Sequence, residues 1–332
     1  MIKYPYKRVM VTGGAGFIGS CFIEQLYSLN QNVEVINLDN ISYAVSPKTL
    51  RLLENFPNYS HINIDITNRS MLKKIIRDFD PELLINFAAE SHVDNSIDSA
   101  LPFIDTNIVG TFNLLESFKD LSLKGSRLFH HVSTDEVYGD LKQNDKPFTE
   151  LNQYQPSSPY SASKAASDML VLAWGKTHKI PYLITNCSNN FGPRQFLEKF
   201  IPKIIYNALN NIEIPIYGDG KNIRDWIYVE DHIKIIFKLH SKNIHNDCIN
   251  IGSKCEKSNI QILDTISTIL KKKYSIKLKY SFVKDRPGHD RRYAIDMSKA
   301  EKLLNTTIKH DFNANIEKTV DWYVENQKWW AD

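Results

Sequence analysis

The segment Thr12-Gly13-Gly14-Ala15-Gly16-Phe17-Ile18-Gly19 constrains this chain more than any other. An apolar run over residues 8–12 precedes it, and a helical pattern over 20–28 follows it. That context makes it a strand–turn–helix junction. Gly13 suits the tight turn, Gly16 lets the backbone approach a pyrophosphate, and Gly19 lets the helix pack close to the strand. The helix N-terminus then offers free N–H groups and the positive end of its dipole to phosphates. Three glycines alone could form an ordinary turn; flanked in this way they open a dinucleotide site.

The first half of the chain repeats the same alternation. Apolar runs at 33–38, 61–64, 83–87, 128–133 and 182–187 read as strands. Helical patterns lie near 70–78 and, as one long helix, near 100–119. Parallel strands need crossover helices, so the expected fold is α/β: a doubly wound parallel sheet of Rossmann type. After Cys187 the order loosens. Residues 189–193 read as a turn-rich junction. Short strands follow at 214–217, 226–229 and 248–251, and helices near 259–272, 298–304 and 313–327. This half reads as a smaller mixed α/β substrate lobe. The expected division gives 1–188 plus 223–253 to the dinucleotide-binding domain and 189–222 plus 254–332 to the lobe.

The totals agree with such an enzyme-sized chain. Its 332 residues, 42% hydrophobic and 24% charged, suffice for two unequal cored units. Forty-one basic against 38 acidic residues leave +3, which gives no nucleic-acid or membrane footprint. The run Lys271-Lys272-Lys273 reads as the solvated face of a helix. No stretch approaches ~18 apolar residues, and no apolar leader precedes the first strand, so the expected location is the cytoplasm. Cys21, Cys187, Cys248 and Cys255 form no C-x-x-C pair and read as reduced, buried thiols. His92 and His232 read as structural. His130 and His131 alternate on a strand, so at most one is expected to face the core. None has metal-ligand company, and no metal site is predicted. Trp322, Trp329 and Trp330 read as packing for the final helix.

The second strand ends near Asp39, 20 residues after Gly19, where a carboxylate can accept both ribose hydroxyls of an adenosine. It would repel a 2′-phosphate, and Asn40 rather than Arg follows it, so the cofactor is read as NAD. Asp65-Ile66 ends the third strand and could hold the adenine edge; Asp65 alone could equally be a helix cap.

Two further groups reach the same sheet edge. Tyr160 and Lys164 open a helix four residues apart, on one face, where the ammonium would favour a phenolate. Ser133-Thr134-Asp135-Glu136-Val137-Tyr138-Gly139 follows the fifth strand and brings a hydroxyl and two carboxylates to the C-terminal edge. Taken singly, each could be a surface pair or a polar turn.

Together, residues 12–19 and the Tyr160/Lys164 pair resemble the extended short-chain dehydrogenase/reductases. Residues 89–94 (Ala-Glu-Ser-His-Val-Asp), 133–139, 186–193, 224–232 and 285–296 resemble the dTDP-glucose 4,6-dehydratases among them, and the likeness runs from about Lys7 to Trp322. The Thr-Asp-Glu segment is its most specific part, because sister epimerases and decarboxylases do not usually carry both acids. The resemblance implies that Tyr160 takes the sugar O4 proton while the C4 hydride passes to NAD. Lys164 would hold the nicotinamide ribose, Glu136 would abstract the C5 proton, Asp135 would protonate the departing O6, and Thr134 would hydrogen-bond O4. It also implies that Phe17, Ile18, Asn40, Ile41, Ser42, Ala88, Ala89, Ser91, Thr106 and Asn190 join the NAD site. Ser91, Asn189, Lys199, Phe200, Pro215, Ile216, Tyr217, Arg224, Asn259, Asp285, Arg286 and His289 would hold the substrate. Arg224 and Arg286 suit its diphosphate by their fork geometry. A homodimer formed by the helix near 100–119 and the helix carrying Tyr160 is implied as well.

The chain departs from the family pattern at Asn95, where Arg is usual, at Phe191, where Tyr is usual, and in a shorter stretch between Gly139 and Pro156. dTDP-glucose is the implied substrate, with UDP-glucose its rival. A nucleotide-sugar 4-epimerase would need Tyr160 and Lys164 but not the acid pair. A silent NAD-binding regulator would need none of the four.

Overall fold

The computed structural model describes residues 4–122 and 125–330. Among these described residues, twelve strands run in chain order. β1 is Arg8–Thr12, β2 Glu34–Asp39, β3 Tyr59–Asn63, β4 Leu83–Asn86, β5 Leu128–Thr134 and β6 Tyr182–Cys187. β7 is Asn189–Phe191, β8 Ile214–Tyr217, β9 Ile223–Tyr228, β10 Asp247–Ile251, β11 Glu256–Ser258 and β12 Tyr280–Val283. The helices are α1 Phe17–Leu29, α2 Pro47–Leu53, α3 Arg69–Phe79, α4 Val93–Asp98, α5 Leu101–Phe103 and α6 Thr111–Ser122. They continue with α7 Pro159–His178, α8 Phe200–Leu209, α9 Val229–Ser241, α10 Asn259–Tyr274, α11 Ser298–Leu304 and α12 Phe312–Glu325.

Seven strands form one parallel sheet in the order β10-β6-β5-β4-β1-β2-β3. The order reverses between β1 and β4, and the crevice beyond their C-terminal ends is where such sheets bind ligands. Apolar cores cover both faces. One joins α1 and α9 to the sheet through Phe22, Ile23, Ile233 and Phe237. The other uses Leu72, Leu114, Phe118 and Val171.

This double cover corrects the expectation for His130 and His131. Alternation does send them to opposite faces, yet both faces are interior, and both rings are fully buried. His130 bridges His240 (2.9 Å) and Thr185 Oγ1 (3.0 Å), and Tyr4 closes that chain on His240 at 3.1 Å.

The second lobe consists of a three-stranded sheet, β11-β9-β7, a two-stranded sheet, β12-β8, and helices α8, α10 and α12 around their own core. Residues 189–191, expected as a turn, form β7 parallel to β9. β9 is the seam between the lobes. Its Ile227 enters the first core, whereas Trp226 and Tyr228 enter the second, the period-2 alternation of a strand. α11, expected in the second lobe, packs Ala300 and Leu304 on the first core.

The long helix expected near 100–119 is present but not regular. Between α5 and α6 the backbone is π-helical over Ile104–Gly110. Such turns are rare and often mark functional sites.

Cys21 and Cys187 are buried, Cys248 and Cys255 half-buried, and all four are free thiols. Trp329 packs its ring on Trp322 at 5.3 Å, while Trp330 reaches Phe196 at 5.1 Å. No helix among the described residues is long and apolar enough to cross a membrane.

Candidate active site

The glycine turn lies at the point where the strand order reverses. Gly13 has φ +68°, and a Cβ there would stand 2.6 Å from the Ala88 nitrogen, just beyond β4. Gly19 packs against the backbone of Gly13 and Gly14. Gly16 is different: a Cβ there would meet only the Gly13 carbonyl oxygen, at 3.2 Å. The protein itself scarcely needs a glycine at 16, so the demand comes from the cleft side. α1 starts there with no side-chain cap and no acid in its first turn, which leaves its N–H groups for an anion.

Asp39 ends β2, and its two oxygens accept the Ala15 and Ile41 N–H groups, each at 2.9 Å. Each carboxylate oxygen keeps a lone pair for a further donor. Asp65 accepts the Thr67 N–H at 2.8 Å and the Asn40 amide at 3.0 Å. One cleft of about 1650 Å³, counted to its open mouth, brings together the expected cofactor positions except Ile41. It runs from Gly13, Gly16, Phe17, Ile18, Gly19, Asp39, Asn40, Ser42, Asp65 and Ile66 past Ala88, Ala89, Ser91, Thr106 and Asn190 to Tyr160 and Lys164. These residues fit an NAD molecule: a glycine cradle and helix N-terminus for the pyrophosphate, and a carboxylate for the ribose.

The deep end of the cleft holds Thr134, Asp135, Glu136, Tyr160 and Lys164 together. Thr134 ends β5 and caps the next turn by accepting the Glu136 N–H at 3.3 Å. The two adjacent acids share burial and Arg224 but differ in their other neighbours. Asp135 is 1% exposed, and one of its oxygens has no hydrogen-bond partner. Burial, then the charges of Glu136 and Asp225, hold its carboxyl well above the usual range. Burial raises Glu136 too, but Arg224, Arg286 and Lys199 pull it back. Two anions against Arg224 at Asp135, and three cations against Asp290 at Glu136, favour a protonated Asp135 beside an ionised Glu136.

The phenol of Tyr160 departs from the sequence expectation. Burial, then Glu136, push it well above the usual range, and a hydrogen bond with Thr134 opposes them. The Lys164 ammonium donates instead to the Val132 carbonyl at 2.9 Å.

Of the expected substrate residues, Ser91, Thr134, Asn189 and Lys199 line the cleft. Lys199 Nζ donates to the Ser91 carbonyl at 2.7 Å. The others stand beyond it, in the second lobe. Arg286 donates to Asp94 Oδ1 at 2.8 Å, and Tyr217 OH to Asp94 Oδ2 at 3.3 Å. His289 meets Asp285 at 2.6 Å. Arg224 is buried over the Tyr293 ring and donates to the Asp290 carbonyl at 3.0 Å. Pro215 and Phe200 are half-buried, and the Asn259 N–H donates to the Asn222 carbonyl at 3.0 Å. Ile216 alternates inward on β8 and is fully buried in the second core, so its side chain is not part of an open site.

Sequence reasoning missed Tyr43, Phe196 and Glu198, which also line the cleft. Tyr43 OH donates to Glu198 (3.3 Å) and receives the Asn95 amide (3.2 Å), joining the two lobes. Lone loop residues carry no periodic signal that would have found them. Among the described residues no three His, Cys, Asp or Glu side chains gather as a metal site would require.

The family profile described as GDP-mannose 4,6 dehydratase matches residues 10–319. A dTDP-glucose 4,6-dehydratase of Neisseria meningitidis is 44% identical over 340 residues, covering 98% of this chain and 96% of its own. The chain belongs to the dTDP-glucose 4,6-dehydratase family. Two solved members of that family superpose closely. The Bacillus anthracis enzyme, in complex with NAD, is 38% identical with a TM-score of 0.87, covering 97% of this chain and 98% of that one. The Streptomyces venezuelae enzyme, with NAD and a dTDP ligand bound, is 37% identical with a TM-score of 0.90, covering 98% and 99%.

Proposed function

We propose that this chain is an NAD-dependent hydro-lyase that converts dTDP-glucose to dTDP-4-keto-6-deoxyglucose and water. The observation that carries the reading is the adjacent acids Asp135, buried with an unpartnered oxygen, and Glu136, faced by three cations, beside Tyr160 in the dinucleotide cleft. Bound in that cleft, NAD would supply a reversible hydride acceptor, for a hydride leaving C4 and arriving at C6.

The side chains supply the proton movements. Tyr160, once ionised under the charge of Lys164 and against the burial that raises its phenol, would accept the proton from O4, and Thr134 would hold that oxygen. The 4-keto group then acidifies C5–H. Glu136, ionised, takes the C5 proton and gives it back to C5 when hydride returns to C6; Asp135, protonated, gives its proton to O6 as water leaves, and the O4 proton held by Tyr160 restores that acid through solvent. Lys164 remains charged beside the nicotinamide ribose. Arg224, Arg286 and Lys199 would meet the diphosphate, with Phe200, Pro215, Tyr217, Asn259, Asp285 and His289 around the nucleoside. Thymidine is the base favoured by the relatives' names.

The reading includes a homodimer through the α5–α6 stretch and α7. It is supported by Leu101, Ile104, Val109 and Met169, large apolar side chains left exposed on those elements. Four free thiols agree with a reducing, cytoplasmic location.

Mass spectrometry of dTDP-glucose incubated with the purified protein, without added NAD and beside UDP-glucose, tests the proposal. Loss of one water from the dTDP sugar is the expected result. Loss from the UDP sugar alone would keep the chemistry and change the substrate. An isomerised sugar of unchanged mass would replace the reading with a 4-epimerase.

A further inference from the structure

Behind Lys164 lies a second buried carboxylate that the proposed reaction does not use. Asp168 follows Lys164 by one turn of α7, on the same face, and both are buried, at 0% and 3% exposure. One oxygen of Asp168 accepts three side-chain donors: Ser133 Oγ at 2.9 Å, Tyr154 OH at 3.0 Å and Asn186 Nδ2 at 3.3 Å. Ser133 immediately precedes Thr134-Asp135-Glu136. Asn186 also donates to the Thr134 carbonyl at 3.2 Å. Asp168 thus joins α7, β5 and β6 at the root of the reactive segment.

The other oxygen of Asp168 has no hydrogen-bond partner and lies 3.4 Å from His131 Nε2. Thr12 donates to the Asn86 carbonyl oxygen (2.6 Å), and the Asn86 amide reaches His131 Nδ1 (3.2 Å). His131 Nε2 faces Ser167 Oγ (3.2 Å), Lys164 Nζ (3.4 Å) and that free Asp168 oxygen, so the ring stands between Lys164 and Asp168. Ser167 in turn donates to the Lys164 carbonyl at 2.8 Å. Burial, then Lys164, keep the imidazole neutral, well below its usual range. With His131 neutral, Lys164 and Asp168 are the charged pair in this pocket. A buried ammonium without a counter-charge would shed its proton.

We propose that Asp168 is a positioning residue, the buried counter-charge that keeps Lys164 cationic and the joint that fixes the Ser133–Glu136 segment against α7. The proposal rests on the dehydratase reading for the task Lys164 performs. The groups that face this pair are His131 on β5, Tyr138 and Tyr154 after β5, Cys187 on β6 and Cys248 on β10. Burial lowers Lys164, and Asp168 is the foremost group opposing that. Burial also raises Asp168, to about 6, against the pull of Lys164 and its three donors. The pair is therefore charged above about pH 6 and loses its anion below it.

The test compares the pH profiles of the wild-type holoenzyme, Asp168→Asn and Tyr154→Phe. Asp168→Asn keeps the shape and removes the charge. Its kcat should fall on the order of 10- to 100-fold, the scale seen when a buried partner of a functional group is removed, with KM little changed. Its alkaline limb should move to lower pH, because Lys164 then sheds its proton sooner. Tyr154→Phe leaves the charge and removes one donor to it, so the limb near pH 6 should move up. The pH dependence of NAD affinity, read by calorimetry, gives the same two shifts without turnover. An inactive wild type would therefore overturn the dehydratase reading and leave this test intact. Unmoved limbs in Asp168→Asn would reduce Asp168 to a structural group. If Asp168→Asn does not fold, an unmoved limb in Tyr154→Phe overturns the proposal equally.

Discussion

Replacing Gly16 with alanine should separate cofactor binding from folding. The backbone at Gly16 has φ −71° and ψ 177°, open to any residue. The new methyl would lie 3.2 Å from the Gly13 carbonyl oxygen, a contact relieved by a shift of a few tenths of an ångström. Glycine-to-alanine changes at compatible positions stabilise by about 0.4–1 kcal/mol through the unfolded chain. That gain roughly offsets the tight contact, so the melting temperature without NAD should hardly move. NAD should suffer instead. A methyl forced between backbone and pyrophosphate costs about 1–3 kcal/mol, which is roughly a 5- to 150-fold loss of affinity. Gly19→Ala should do the reverse first, since its methyl would overlap the Gly13 and Gly14 backbone; here the cofactor-free protein itself should melt earlier. The assay is a pair of melting curves and a calorimetric NAD titration on each stripped variant. A Gly16→Ala protein with wild-type NAD affinity would refute the reasoning, for the pyrophosphate would then not pass over Gly16.

Three other outcomes follow from the site. Glu136→Gln should abolish exchange of the sugar C5 hydrogen with deuterated water, whereas Asp135→Asn should keep exchange and lose elimination; each should lower turnover by about 10²–10⁴-fold, read by product mass. Turnover should fall on the acid side as Glu136, raised above its ordinary range, takes up a proton, and on the alkaline side as Asp135 loses one. Because the folded state binds the Asp135 proton more tightly than the unfolded chain, stability is lost as pH rises through that window, so Asp135→Asn should melt later than wild type at neutral pH. Leu101, 63% exposed, and Met169, 49% exposed, should lie in the dimer contact, and Leu101→Asp should give a monomer by light scattering with its cofactor cleft intact.

Much of this site is local, and local patterns can be read from a sequence. The glycine spacing and the acids after β5 sit where a strand meets a turn, the Tyr160/Lys164 pair opens a helix, and the structure gathers them into one cleft. The expected helix at 298–304 matches α11 to the residue. What escaped was set by neighbours distant in sequence. His130 and His131 looked half-exposed by alternation, but helices on both sides of the sheet enclose them. Residues 189–191 became a strand only because β9 lies beside them. α8 and α9 follow short strands and junctions whose polar residues masked their helical period. Asp168 read as one more polar position on a helix; its three donors come from β5, β6 and the segment between Gly139 and α7. The tilt of Lys164 toward Val132, rather than Tyr160, depends on that same packing.

The π-helical stretch Ile104–Gly110 fixes the phase of everything before it. Thr106 faces the cofactor cleft, and Asn107 binds the Glu90 backbone N–H and carbonyl (2.9 and 3.0 Å) and Ser163 Oγ (2.8 Å). A π turn holds a residue more than an α turn, and each residue of an α-helix advances by about 100°. Deleting one residue here would let the backbone relax into ordinary α bonding, a change most helices could not absorb. The helix would remain sound, but its N-terminal part would be rotated by that angle, carrying Thr106 away from the cleft and Asn107 away from Glu90 and Ser163. In this helix the surplus residue is an address, and removing it would misdeliver side chains without breaking the element that carries them.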